Sequence, residues 1–199
     1  GKLKRLLFIA LLVGFGCAKP INDETLIDKD GSKYHPDTNK LYSGKVFKNS
    51  MGGKKEFEGS YKEGKKDGLW TDYHESGKKK SEGNHKDGKL DGLWTNWYEN
   101  GQKSSEITYK DGKKDGLALL WQSNGNKQYE AAFKDGKEDG LFTLWYYEGS
   151  FFKRFSPNTQ NGQKSSEGTF KDRKLDGLYT EWYINGQKSS EITYKDGKI

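Results

Sequence analysis

His35, His74 and His85 are the only imidazoles in the chain and Cys17 is its only thiol, so any metal or nucleophile chemistry has to be built from very few groups. The histidines stand at unrelated places, and no His/Cys spacing matches a metal site. Asp-Gly pairs, for example those containing Asp111 and Asp115, have the composition of calcium loops but lack the alternating carboxylates and the closing bidentate glutamate. Glutamates recur at Glu58, Glu82, Glu106, Glu130, Glu167 and Glu191, each flanked by lysines. On successive hairpins they would sit about 9.6 Å apart, too far for a short-range carboxylate pair, and read as rungs of a charge ladder. No serine has a matching histidine and acid. The residues therefore predict neither enzyme activity nor a bound metal or cofactor.

The same residues become informative through their period. Gly44, Gly68, Gly92, Gly116 and Gly140 stand 24 residues apart, and Gly177 opens a sixth copy after 37. A fixed period in the twenties marks a repeat array whose units cover one another. Counting from the opening glycine as zero, positions one, three and five alternate in period two, as in Leu93, Thr95 and Trp97, which predicts a strand. Position nine is glycine in every copy, preceded by asparagine in three of them, as in Asn100-Gly101. That pair predicts a type I′ turn. A second strand follows, with glutamate at fourteen and usually an aromatic at seventeen: Tyr61, Tyr109, Phe133, Phe170 and Tyr194, with His85 as the exception. Tandem Asp-Gly turns then lead to the next copy. The expected fold is all-β: an elongated, single-layer antiparallel meander of stacked hairpins, behind an N-terminal signal helix.

Because side chains alternate across a strand, positions two and six face away from Leu93 and Trp97. A single layer cannot bury both faces. The leucine and position-five tryptophan face (Trp97, Trp121, Trp145, Trp182) is expected to hold the array together. Trp70, Trp94, Phe142 and Tyr179 at position two, with Tyr98, Tyr146 and Tyr183 at position six, are expected to form a partly exposed stripe for a flat partner.

The pattern D-G-L-W-x-x-W-Y-x-N-G-x-K-x-x-E-x-x-Y-K-D-G-K over Leu41 to Ile199 resembles the bacterial variant of the MORN repeat. The resemblance implies a binding or scaffold module with no catalytic residues to carry over. Relatives are often labelled antitoxins of toxin–antitoxin systems, a cytoplasmic role that fits poorly with a secretion signal.

Such a signal is legible at the N-terminus: Lys2, Lys4 and Arg5 precede the apolar run Leu6 to Val13, too short to span a bilayer. The run ends in Gly14-Phe15-Gly16-Cys17, which resembles the lipobox of bacterial lipoproteins and implies lipidation at Cys17, export and a membrane anchor at the cell envelope. Residues 1–17 are thus read as signal, 18–40 as tether and degenerate cap, and 41–199 as the array. An insertion at 150–162 carries Phe151, Phe152 and Phe155 beside Lys153 and Arg154, suited to a partner or a membrane interface or to a lengthened hairpin. Outside the leader, 32 basic and 29 acidic residues are interleaved, which argues against a nucleic-acid partner. The leading partner is a protein bound at the envelope; the alternatives are a cell-wall glycan stacked on the aromatic rows, or a toxin neutralised in the manner of an antitoxin.

Overall fold

The protein is described by a computed structural model over residues 19–146 and 162–199. The expected leader, Cys17, and the insertion phenylalanines Phe151, Phe152 and Phe155 lie outside the described residues. The segment expected to be a tether is ordered almost from its start. Strand β1 (Ile21–Asn22) pairs in parallel with the first strand of the array, and a single 3-10 turn (Asp23–Thr25) follows. Strands β2 (Ile27–Lys29) and β3 (Ser32–Tyr34) then form a hairpin about Asp30-Gly31. Leu26 is buried against Val46, Tyr61 and Trp70, so this leading segment caps one face of the first hairpins.

The array follows the expected order. The strands are β4 (Gly44–Asn49), β5 (Lys55–Lys62), the two-residue β6 (Lys65–Lys66), β7 (Gly68–Tyr73), β8 (Lys79–Lys86) and β9 (Lys89–Trp97). They continue as β10 (Lys103–Lys110), β11 (Lys113–Trp121), β12 (Lys127–Lys134), β13 (Lys137–Trp145) and β14 (Lys164–Lys171). Two-residue β15 (Lys174–Leu175), β16 (Gly177–Trp182) and β17 (Lys188–Tyr194) complete them. All but β2 and β3 join one 15-stranded sheet, antiparallel throughout the array. The chain is a meander, with β13 and β14 still adjacent across the insertion.

The turns differ from expectation in a way that follows from backbone angles. At Asn100-Gly101 only the glycine is left-handed, at φ +87°. Gly101 N–H donates to the Tyr98 carbonyl and Tyr98 N–H to the Gln102 carbonyl, giving a three-residue loop in which a type I turn ends in a left-handed glycine. The primed geometry sits at the opposite edge of the sheet, where Asp111 (φ +50°) and Gly112 (φ +82°) are both left-handed between the paired Lys110 and Lys113. Each inter-repeat Asp-Gly turn is thus the tight hairpin and each Asn-Gly loop the wider one. Beside the wider loop the register slips by one residue, between Lys103 and Ser105 opposite Trp97 and Asn96.

Register also settles which face is inner. Position two pairs with position fifteen: Trp70 with Gly83, Trp94 with Ile107, Ala118 with Ala131, Phe142 with Gly168. At Trp70 and Phe142 a large ring therefore faces a glycine in this row. A Cβ on Gly59 would lie 2.3 Å from the Trp70 ring, and one on Gly83 2.3 Å from the Trp94 ring. The indoles lie flat on these glycines. The position-seventeen rings join them, with Tyr61 and Trp70 edge-to-face at 5.2 Å, and Phe142 and Phe170 at 4.6 Å.

Candidate interaction surfaces

The row expected to be exposed is therefore the inner row. Trp70 is 2% exposed and Phe142 6%, while Trp94 and Tyr179 are half-buried. Trp70 Nε1 donates to the Ser60 carbonyl at 3.0 Å, and Lys66 Nζ lies 4.0 Å from the ring centroid of the same indole. Burial pulls the Lys66 ammonium below its ordinary pKa. His85 sits between Trp70 (6.0 Å) and Trp94 (5.5 Å), and its Nδ1 is buried with no hydrogen-bond partner. Burial, then the Lys66 charge, pull its pKa down, with Asp72 opposing. These aromatics are structural because alternation had placed them correctly on one face, and the glycines beneath them make that face the packed one.

The other face carries the leucines expected inside. Leu69, Leu93, Leu117, Leu141 and Leu178 are 42% to 56% exposed, one in each repeat after the first. Beside them runs a row of buried threonines, with Thr71 Oγ1 donating to Glu82 at 3.0 Å and Thr143 Oγ1 to Glu167 at 3.2 Å. Each of those glutamates also meets the lysine three residues before it, as at Lys55–Glu58 (2.7 Å) and Lys188–Glu191 (2.6 Å). Trp97, Trp145 and Trp182 are half-buried under a lysine of the preceding repeat, at 6.0 Å from Lys79, 5.4 Å from Lys127 and 5.8 Å from Lys164. Tyr73 replaces tryptophan in the second copy, and its hydroxyl donates to Glu58 at 2.5 Å. Burial, then that contact, raise its pKa to about 12. The glutamate row is thus a charge ladder threaded between rings.

Two of the three position-six tyrosines are braces. Tyr98 donates to the Trp121 carbonyl and Tyr146 to the Trp182 carbonyl, each at 2.7 Å, and His74 Nε2 meets the Trp97 carbonyl at 2.9 Å in the same place. Each ties its hairpin to the next. Tyr183, the third, is 56% exposed as expected. At the opposite edge each tight turn is tied back, Gly88 N–H to the Lys66 carbonyl and Gly112 N–H to the Leu90 carbonyl, both at 2.8 Å.

A feature not anticipated from the sequence lies on the inner face near the wider loops of the fourth to sixth repeats. Leu120, Leu144 and Tyr129 line a groove of about 760 Å³, with Glu138, Glu181 and Tyr183 also lining it. Tyr129 donates to Glu138 at 2.8 Å, and burial, then this contact, push its pKa up. The only sequence sign of the groove is where the repeat is broken, since position thirteen is serine in most copies and Tyr129 here.

The repeat geometry coincides with what comparison finds. The family model of the MORN repeat variant matches residues 66–87, 90–111 and 175–196. Each match starts two residues before an opening glycine and ends at the aspartate of the next tight turn, so it frames one strand, one wide loop and one returning strand. No curated protein matches the chain. The three matched spans are similar to the MORN repeat variant, and the single sheet of stacked hairpins is consistent with that likeness.

Proposed function

We propose that the protein is a non-enzymatic scaffold that binds a protein partner at the bacterial cell envelope, held there through a lipid anchor at Cys17. Repeats of the matched kind generally serve as scaffolds for interaction with proteins and membranes. The observation that carries the reading for this chain is the evenly spaced row of exposed leucines, flanked by half-buried tryptophans and paired charges. Burying five such leucines against a partner removes apolar area from water at a single flat surface, which an isolated exposed leucine does not. The test replaces Leu93, Leu117 and Leu141 together by aspartate. Partners that co-purify with the wild-type chain should be lost while the melting temperature stays within a few degrees; retention of those partners would exclude this face. Cys17→Ser should move the protein from the membrane to the soluble fraction, and unchanged fractionation would remove the anchor from the proposal. The glycan and antitoxin readings gain no specific support, because the aromatic row that would have stacked on a sugar chain is largely occupied by the protein's own packing.

A further inference from the structure

The groove on the inner face departs from the repeat in a directed way. In three other copies positions four and thirteen bond to each other across the hairpin: Ser81 to Asp72, Asn96 to Ser105 at 2.7 Å, and Ser190 to Glu181 at 2.9 Å. In the groove, position four is Leu120 and then Leu144, and position thirteen is Tyr129 in the fourth copy and Ser166 in the fifth, so an apolar position four replaces the polar bridge in both. Leu144 remains 37% exposed. At the same place the residue two before the opening glycine, elsewhere Tyr42, Lys66, Leu90, Lys114 or Leu175, is Glu138.

Charge completes the picture. Each of the six glutamates at position fourteen has its lysine. Among the described residues the Glu138 and Glu181 carboxylates accept hydrogen bonds from hydroxyls, Tyr129 to Glu138 and Tyr179 to Glu181 at 2.9 Å besides Ser190, and neither forms an ion pair. Two carboxylates without a cation among the described residues, beside an apolar groove, favour a cationic occupant. Leu120 and Leu144 with the Tyr129 ring supply the apolar and aromatic surface on which the stem of a long basic side chain packs.

We propose that this groove binds an extended segment of a partner protein through a lysine or arginine side chain, its aliphatic stem on Leu120 and Leu144 and its charge at Glu138 and Glu181. The site lies on the face opposite the leucine row, so its failure would leave the scaffold reading of that row standing, and the reverse.

The test is a calorimetric titration with a blocked octapeptide of alternating lysine and leucine, an otherwise identical peptide with glutamate for lysine, and a chitin hexasaccharide. The basic peptide should bind saturably and the acidic one should not. Glu138→Gln and Glu181→Gln should each weaken it roughly tenfold, since each removes one charge-assisted contact. Glu82→Gln, on the opposite face, should leave it unchanged. Leu144→Lys, at a partly exposed position that tolerates the longer chain, should block the groove with the protein still folded by circular dichroism. Equal binding of both peptides, wild-type affinity in both glutamine variants, or binding of the hexasaccharide without the basic peptide would each overturn the proposal.

Discussion

At the scale of single residues, the tight turn is where the chain most clearly departs from its own rule. Every other tight turn puts glycine second, as at Gly88, Gly112 and Gly136, whereas Arg173 occupies that place at φ +69°. A left-handed non-glycine residue costs about 1–2 kcal/mol, against which glycine would return some entropy to the unfolded chain. Arg173→Gly should therefore stabilise the protein by roughly 0.5–1 kcal/mol in urea melts; a lowered midpoint would mean that the arginine makes contacts worth more than its strain. His85 is the second departure, an imidazole where other copies carry a phenyl or phenol ring. Its folded pKa lies below the ordinary 6.5 because burial penalises the cation. The unfolded chain consequently binds a proton more tightly, so this residue's contribution is intact above about pH 6.5 and declines as pH falls from there to the lower folded value. His85→Phe should remove that part of the decline, visible as a smaller difference in melting temperature between pH 7.5 and pH 5.0. An unchanged difference would assign the pH dependence to other groups.

At the scale of the hairpin, period and alternation were legible in the residues, and the choice of inner face was not. Positions one, three and five do share a face, as Leu93, Thr95 and Trp97 indicate, but bulky side chains at one and five do not decide which face packs. The deciding information lies in the returning strand. Gly59, Gly83 and Gly168 sit against the position-two rings, and Tyr61 and Phe170 fall on the same side only once the register is known. That register depends on the turn types, and Asn-Gly is compatible both with a type I′ turn and with the three-residue loop found at Tyr98 to Gln102. The groove was illegible for a different reason, since departures from a repeat look like drift until the fold brings Leu120, Tyr129 and Glu138 together. The corrected faces reverse the expected ranking of tryptophans. Trp70→Ala opens a cavity over Gly59 and should cost about 3–5 kcal/mol. Trp97→Ala removes a half-buried ring under Lys79 and should cost roughly 1–2 kcal/mol. Denaturant melts of the two variants decide, and a larger loss for Trp97 would restore the opposite assignment.

At the scale of the whole array, each repeat touches its neighbours and little else, so stability should be distributed along the chain rather than shared equally. The inner row is uneven. At its N-terminal end Leu26 and Val46 pack on Tyr61 and Trp70, and ring contacts continue through His85 to Trp94. In the middle the row narrows to Ala118 and Ala131, which are buried but contribute little apolar area. Ring contacts resume from Phe142 through Phe170, Tyr179 and Tyr194. Native-state hydrogen exchange should therefore report two blocks, with the amides of β4 to β9 protected more strongly than those of β14 to β17 and the change falling near β11 and β12. The backbone ladders are continuous through that point, so a difference in protection would have to come from side-chain burial. Trp70→Ala supplies the check: protection should fall in β4 to β8 and stay near the wild-type level in β14 to β17. A uniform fall across all strands would show instead that the sheet opens as a single cooperative unit, with the alanine pair transmitting stability as well as the aromatic rows on either side of it.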